Sequence, residues 1–154
     1  MNKKIVTLLA LALSLTTHAM PAATPNYRHL LQAVSSKDDN GDKVRELLTK
    51  GGNANGTSPL GMPLLFLAAR GGKTEVMAAL IENGAVVDAP EKTTGITPLH
   101  VATRYGHVDA VKLLLEKKAN VHLKNNEGQT ALDIATQHQL SEIVELLEAA
   151  DPLE

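Results

Sequence analysis

The chain has 154 residues, ordinary apolar (44%) and charged (21%) fractions, 2% aromatics, no cysteine and a formal net charge of −2. That length fits about one domain. The charge provides no basic field for nucleic acid, and the missing cysteine excludes disulfides, thiolate nucleophiles and Cys-ligated metals. With Tyr27, Phe66 and Tyr105 as its only aromatics, the core must be built from Leu, Val, Ile and Ala, which suits thin layers of small helices.

The N-terminal segment reads as a targeting signal. Lys3 and Lys4 form a short positive region, Ile5 to Leu15 an apolar run, and Thr17-His18-Ala19 places small residues at the two positions that a signal peptidase inspects. Residues 1–19 are therefore expected to be a secretory signal peptide cleaved after Ala19, with Ala22 or Ala23 as alternative points. The apolar run falls short of the about 20 residues that span a bilayer. A buried N-terminal helix and an uncleaved anchor are the competing readings. Cleavage removes two lysines and no acid, which leaves a net charge of −4. No later apolar run approaches membrane length, so no stable membrane insertion is expected after cleavage. The flanks look bacterial, which predicts a periplasmic or secreted protein. Residues 20–25 read as a short linker.

From Tyr27 to about Ala150 the chain repeats itself. Thr97-Pro98-Leu99-His100 recurs 33 positions later as Thr130-Ala131-Leu132-Asp133, and Ala102, Val111 and Leu114 recur as Ala135, Val144 and Leu147. Backwards, Ala68, Gly72 and Leu80 precede Ala102, Gly106 and Leu114 by 34, and Leu47-Leu48 precedes Leu80-Ile81 by 33. Four units result, at about 26–57, 58–91, 92–124 and 125–150.

Local chemistry gives each unit two helices. Thr97 can cap a helix with its hydroxyl, and Pro98 suits the first helical position, where no donor is lost. Leu99 and Ala102 lie one turn apart on a buried face. Gly106 ends the helix. Asp109 puts an acid near the positive end of a second helix, whose apolar stripe is Val111, Leu114 and Leu115. A polar turn-rich finger, Ala119 to Gly128, leads into the next unit. One unit cannot bury its own apolar face, whereas a stack of three or more can.

The run from Thr97 to Leu115 resembles the ankyrin repeat from end to end. Pro63 to Asp88 is a good second match, keeping Leu65, Ala68, Ala69, Gly72, Leu80, Asn83-Gly84-Ala85 and Asp88. The resemblance covers nearly the whole chain beyond the signal and implies an all-α solenoid of four helix-turn-helix units with β-turn fingers. It marks His100 and His107 as structural. Phe66 and Asp133 replace the His100-type residue in repeats two and four, which predicts a lost tie to the neighbouring turn. Pro63-Leu64 replaces Thr-Pro and removes a hydroxyl cap. Lys118 stands where Gly84 stands one repeat earlier, and Gln139 replaces the glycine of the last repeat. The first repeat carries an enlarged connector, Ser35 to Gly41.

No constellation for chemistry emerges. His29, His122 and His138 fall in separate units without metal-ligand spacing. Ser35, Ser36 and Ser58 lie in turns without a base and an orienting acid. The Gly-Gly pairs lack the lysine and strand of a phosphate loop. A non-enzymatic chain without metal or cofactor, monomeric when free, is expected.

The resemblance further implies a protein partner bound on the concave side, through finger tips and first-helix flanks. By position these are Pro59, Leu60, Met62, Arg70 and Gly71 in the second repeat, and Thr93, Thr94, Ile96, Arg104 and Tyr105 in the third. In the fourth they are Asn126, Glu127, Gln129, Gln137 and His138, with Pro90 and Lys124 on connectors. Leu60, Met62, Ile96 and Tyr105 form an apolar strip, and Arg70, Arg104 and Lys124 a basic rim, which predicts an acidic or mixed partner. Folding of Leu60, Met62 and Ile96 onto neighbouring fingers is the alternative. Three roles fit: support of a partner enzyme, inhibition of a periplasm-acting toxin as an immunity protein, or action on a host protein as a secreted effector.

Overall fold

The computed structural model describes residues 25–151, and the proposed signal and its cleavage points lie outside the described residues. Eight helices occupy these residues: α1 Pro25–Ser35, α2 Gly41–Thr49, α3 Leu64–Arg70, α4 Thr74–Glu82, α5 Pro98–Arg104, α6 Val108–Glu116, α7 Ala131–Gln137 and α8 Ser141–Ala149. They form four antiparallel pairs. Short first helices pack α3 on α5 on α7, and longer second helices pack α2 on α4 on α6 on α8. No strand occurs among the described residues, only an isolated antiparallel bridge between Thr57 and Pro63. The fold is an all-α solenoid.

One continuous apolar core runs the length of the stack, from Leu30 and Val34 through Leu65, Met77 and Leu80 to Leu114, Ile143 and Leu147. Ala68, Ala69, Ala102 and Ala135 are fully buried in the first helices. Their small size lets neighbouring repeats close on one another, and stacking buries what no single helix pair could.

Local signals govern the third and fourth repeats. The Thr97 hydroxyl accepts from the His100 N–H while the His100 ring reaches back to the Thr97 backbone, with Pro98 in the first turn. Thr130 and Asp133 make the same reciprocal cap. Asp133 thus keeps the local half of the His100 role without reaching the next repeat. The α3 helix begins at Pro63 with no side-chain cap. Lys118 (φ 64°) adopts the left-handed backbone that Gly84 supplies in repeat two, and Gln139 (φ 57°) the one that Gly106 supplies in repeat three, a strain of about 1 kcal/mol each.

The enlarged first connector is fastened from the next repeat. The α4 helix has no cap of its own. Asp39 supplies one, its carboxylate accepting from the N–H groups of Glu75 (3.0 Å) and Val76 (2.9 Å). Lys73 is buried and donates to the carbonyls of Val34 (2.7 Å) and Ser36. Burial holds its ammonium pKa below the usual value, against the pull of Asp39 and Asp38. Gly41 is required here, because a Cβ would sit 2.6 Å from the Glu75 carbonyl oxygen.

Fingers are tied side by side. Asn55 donates to the Gly84 carbonyl (2.8 Å) and accepts from the Val86 N–H (2.8 Å). Asp88 accepts from the Asn120 N–H (3.1 Å). Asn126 donates from its side chain to the Thr93 carbonyl and from its backbone to the Thr94 carbonyl, both at 2.9 Å.

Candidate binding groove

His107 holds the wall of the site, and His100 ties the third repeat to the fourth. His100 is 2% exposed. Its Nε2 faces the Gln129 carbonyl at 3.0 Å, so this nitrogen must donate. The ring is then neutral and Nδ1 accepts from the Thr97 hydroxyl (2.8 Å) and N–H (3.3 Å). Burial lowers its pKa, opposed by the bond to Gln129. This side chain joins repeats three and four. His107 joins repeats two and three through the Arg70 carbonyl, 3.0 Å from Nε2. The Tyr105 ring stacks near-parallel with His107 (centroids 6.2 Å apart, 13°), and the Arg70 guanidinium lies 5.9 Å from its centroid. Tyr105 is thus held in place while 52% exposed.

Between repeats two and three lies an open concavity of about 540 Å³. Leu60, Met62, Thr93, Thr94 and Ile96 line it from the fingers, and Arg70, Arg104 and Tyr105 from the ends of α3 and α5. It therefore gathers eight of the residues the sequence singles out. Leu60 is 79% exposed, whereas Met62 and Ile96 are half-buried against the core. The apolar strip is divided: Met62 and Ile96 form a floor and Leu60 projects from a finger tip. Neither Arg70 nor Arg104 has a carboxylate within ion-pair distance among the described residues.

The fourth-repeat positions lie outside this lining. Gln129 donates to Gln137 at 3.2 Å. The Asn126 side chain is engaged in its tie to Thr93. Lys124, Glu127 and His138 are exposed.

Phe66, Val101 and Glu91 line the groove as well. Phe66 is 7% exposed, so it fills by packing the place of a His100-type ring. Glu91 reads as connector charge in the sequence but is buried. Its carboxylate accepts from the Thr94 hydroxyl (2.7 Å) and from the N–H groups of Thr93 and Thr94 (both 2.8 Å). The Thr94 hydroxyl foremost and the Thr93 N–H hold its pKa at about 2. An acid followed at once by Thr-Thr-Gly is the local signal for such a turn.

A second concavity, about 520 Å³, lies against α1 and α2. Its lysines, Lys43 and Lys50, are both bonded to Glu46 (2.8 and 2.5 Å), whose pKa they hold at about 2. Both of its lysines thus have a carboxylate partner, unlike the arginines of the groove. Elsewhere Lys112 pairs with Glu142 at 3.1 Å, so part of the acidic last helix is neutralised by its neighbour. Among the described residues no group of three or more His, Asp or Glu is placed to hold a metal ion, and no helix is long and apolar enough to cross a membrane.

Stacked helix pairs, fingers tied edge to edge and an open groove define a helical repeat scaffold. A family model described as ankyrin repeats in three copies matches residues 30–125 and 88–153. The chain belongs to the ankyrin-repeat family. It is 28% identical over 147 residues to an ankyrin repeat-containing protein of Saccharomyces cerevisiae, covering 90% of this chain and 78% of that protein. A second ankyrin repeat-containing protein, from Schizosaccharomyces pombe, is 30% identical over 79 residues, 51% of this chain and 38% of the other. The palmitoyltransferase Hip14 of Drosophila melanogaster is 36% identical over 92 residues, 60% of this chain but 14% of that enzyme. The chain thus spans well under half of the last two relatives. The ankyrin array makes this chain a protein–protein interaction module.

Proposed function

We propose that this chain is exported and acts in the bacterial periplasm, where it binds a partner protein through the groove between repeats two and three and carries out no reaction. The carrying observation is a groove drawn from adjacent repeats, in which exposed Leu60 and Tyr105 flank a half-buried floor of Met62 and Ile96 beside two arginines that lack carboxylate partners among the described residues. Such a surface fits a desolvated anchor with a charged rim. The address rests on Lys3, Lys4, the apolar run to Leu15 and the small residues up to Ala19.

Two measurements test this. Expression of the whole gene in a bacterium, followed by fractionation and N-terminal sequencing, should recover a periplasmic chain beginning at Met20. Recovery of the full precursor in the cytoplasm would overturn the export claim. Crosslinking in periplasm should trap a partner protein that the double variant Arg104→Glu/Tyr105→Ala fails to trap, with the melting temperature essentially unchanged because both side chains are exposed. Unchanged trapping sinks the groove as the docking face.

A further inference from the structure

The groove has two chemically different ends. Leu60, Met62 and Ile96 stand at the finger end, just before the first helices begin. Arg70 and Arg104 stand at the far ends of those helices, as the last residues of α3 and α5. Seven helical residues rise about 10 Å, which an extended chain covers in about three residues. Charge is graded along the same direction. The buried Glu91 carboxylate, ionised and already fully engaged by Thr93 and Thr94, lies at the finger end. It disfavours a second acid there, whereas Arg70 and Arg104, with no carboxylate in ion-pair distance among the described residues, can each take one.

We propose that the groove takes an extended acidic segment of the partner protein, with an apolar side chain seated among Leu60, Met62 and Ile96. Carboxylates three or four residues away meet Arg70 and Arg104. Arginine suits this role because its planar fork pairs bidentately with carboxylates. Tyr105, held between Arg70 and His107, provides a rigid wall at little entropic cost. The inference rests on the docking reading above and specifies its ligand.

The test is panning of the purified chain against a displayed library of random twelve-residue peptides. Enriched sequences should carry an apolar residue three or four positions from one or two acids. A selected peptide should bind at least tenfold more weakly to Arg70→Glu/Arg104→Glu, and more weakly as salt rises. Peptides without acids that bind the charge-reversed variant equally, yet are lost with Leu60→Asp, overturn the acidic chemistry and leave the docking reading standing. Failure to enrich any peptide, or binding indifferent to both variants, overturns the docking reading and this inference with it.

Discussion

The Asp39 carboxylate accepts the Val76 N–H at 2.9 Å across 37 positions of sequence. A connector residue of the first repeat thereby caps a helix of the second. Its other oxygen takes the Glu75 N–H, so two unpaired amides of α4 are satisfied from outside that helix. Asp39→Ala should destabilise the chain by about 1–2 kcal/mol, as loss of a helix cap does. Asp39→Asn, which keeps an acceptor, should cost less. Urea unfolding measures both, and an unchanged midpoint for Asp39→Ala would refute the cap.

The His100 ring is buried, neutral and shared between repeats three and four, with a pKa below its ordinary 6.5. The unfolded chain therefore binds this proton more readily than the folded one. The stabilisation is fully present above about pH 6.5 and fades as pH falls from there toward the folded-state pKa. Melting temperatures between pH 7.5 and 5 should fall with acidification. The His100→Gln variant should be less stable at pH 7.5 and show a shallower fall.

Glu46 and Glu91 titrate in a separate, lower window. Both have pKa values of about 2 against an ordinary 4.5. Their contribution is complete above about pH 4.5 and is lost as pH falls toward 2. Glu91→Gln should therefore flatten the acid limb of the stability curve below pH 4.5 without altering the histidine limb.

Thr103 on α5 is fully buried, and its hydroxyl has no hydrogen-bond partner among the described residues. Thr103→Val keeps the branched shape and removes the unsatisfied group, which should stabilise by about 1 kcal/mol. Calorimetry would show this as a raised melting temperature. A fall would mean that the hydroxyl is satisfied by solvent.

Lys118 and Gly84 occupy equivalent left-handed positions at φ 64° and 86°. A Cβ on Gly84 would meet nothing within 4 Å, so only backbone strain distinguishes the two sites. Lys118→Gly should stabilise and Gly84→Lys destabilise, each by roughly 0.5–1 kcal/mol. Gly72→Ala should cost more than Gly84→Ala, because its Cβ would lie 2.8 Å from His107 Nδ1.

What the sequence reveals and what it hides divide by range. The caps at Thr97 and Thr130 lie within three residues of their partners, and the strain at Lys118 follows from its register with Gly84, so all are legible. The same register places Leu60, Met62, Ile96, Arg70, Arg104 and Tyr105 on one face, and the structure gathers them. The Asp39 cap, the buried Lys73 and the buried Glu91 escape sequence reading because Asp39, the Ser36 partner of Lys73, and Glu91 lie in segments that depart from the repeat, although Lys73 itself stands in register with His107. The first two also act across more than 30 positions. Asn126 stands at a finger tip as its register places it, and its side chain ties that finger to the adjacent one. The recurrence of Asn55 as Asp88, 33 positions on, is the signal that such ties exist, since each side chain holds the finger that follows it.

Because the groove straddles the seam between repeats two and three, whatever occupies it must touch both. The units of a stacked array feel only their immediate neighbours, so fraying proceeds seam by seam. That seam is already held by the His107–Arg70 contact. An occupant would act there as a splint. Its arrival would register as slower amide exchange on both sides of the seam and as a melting temperature that climbs with its concentration.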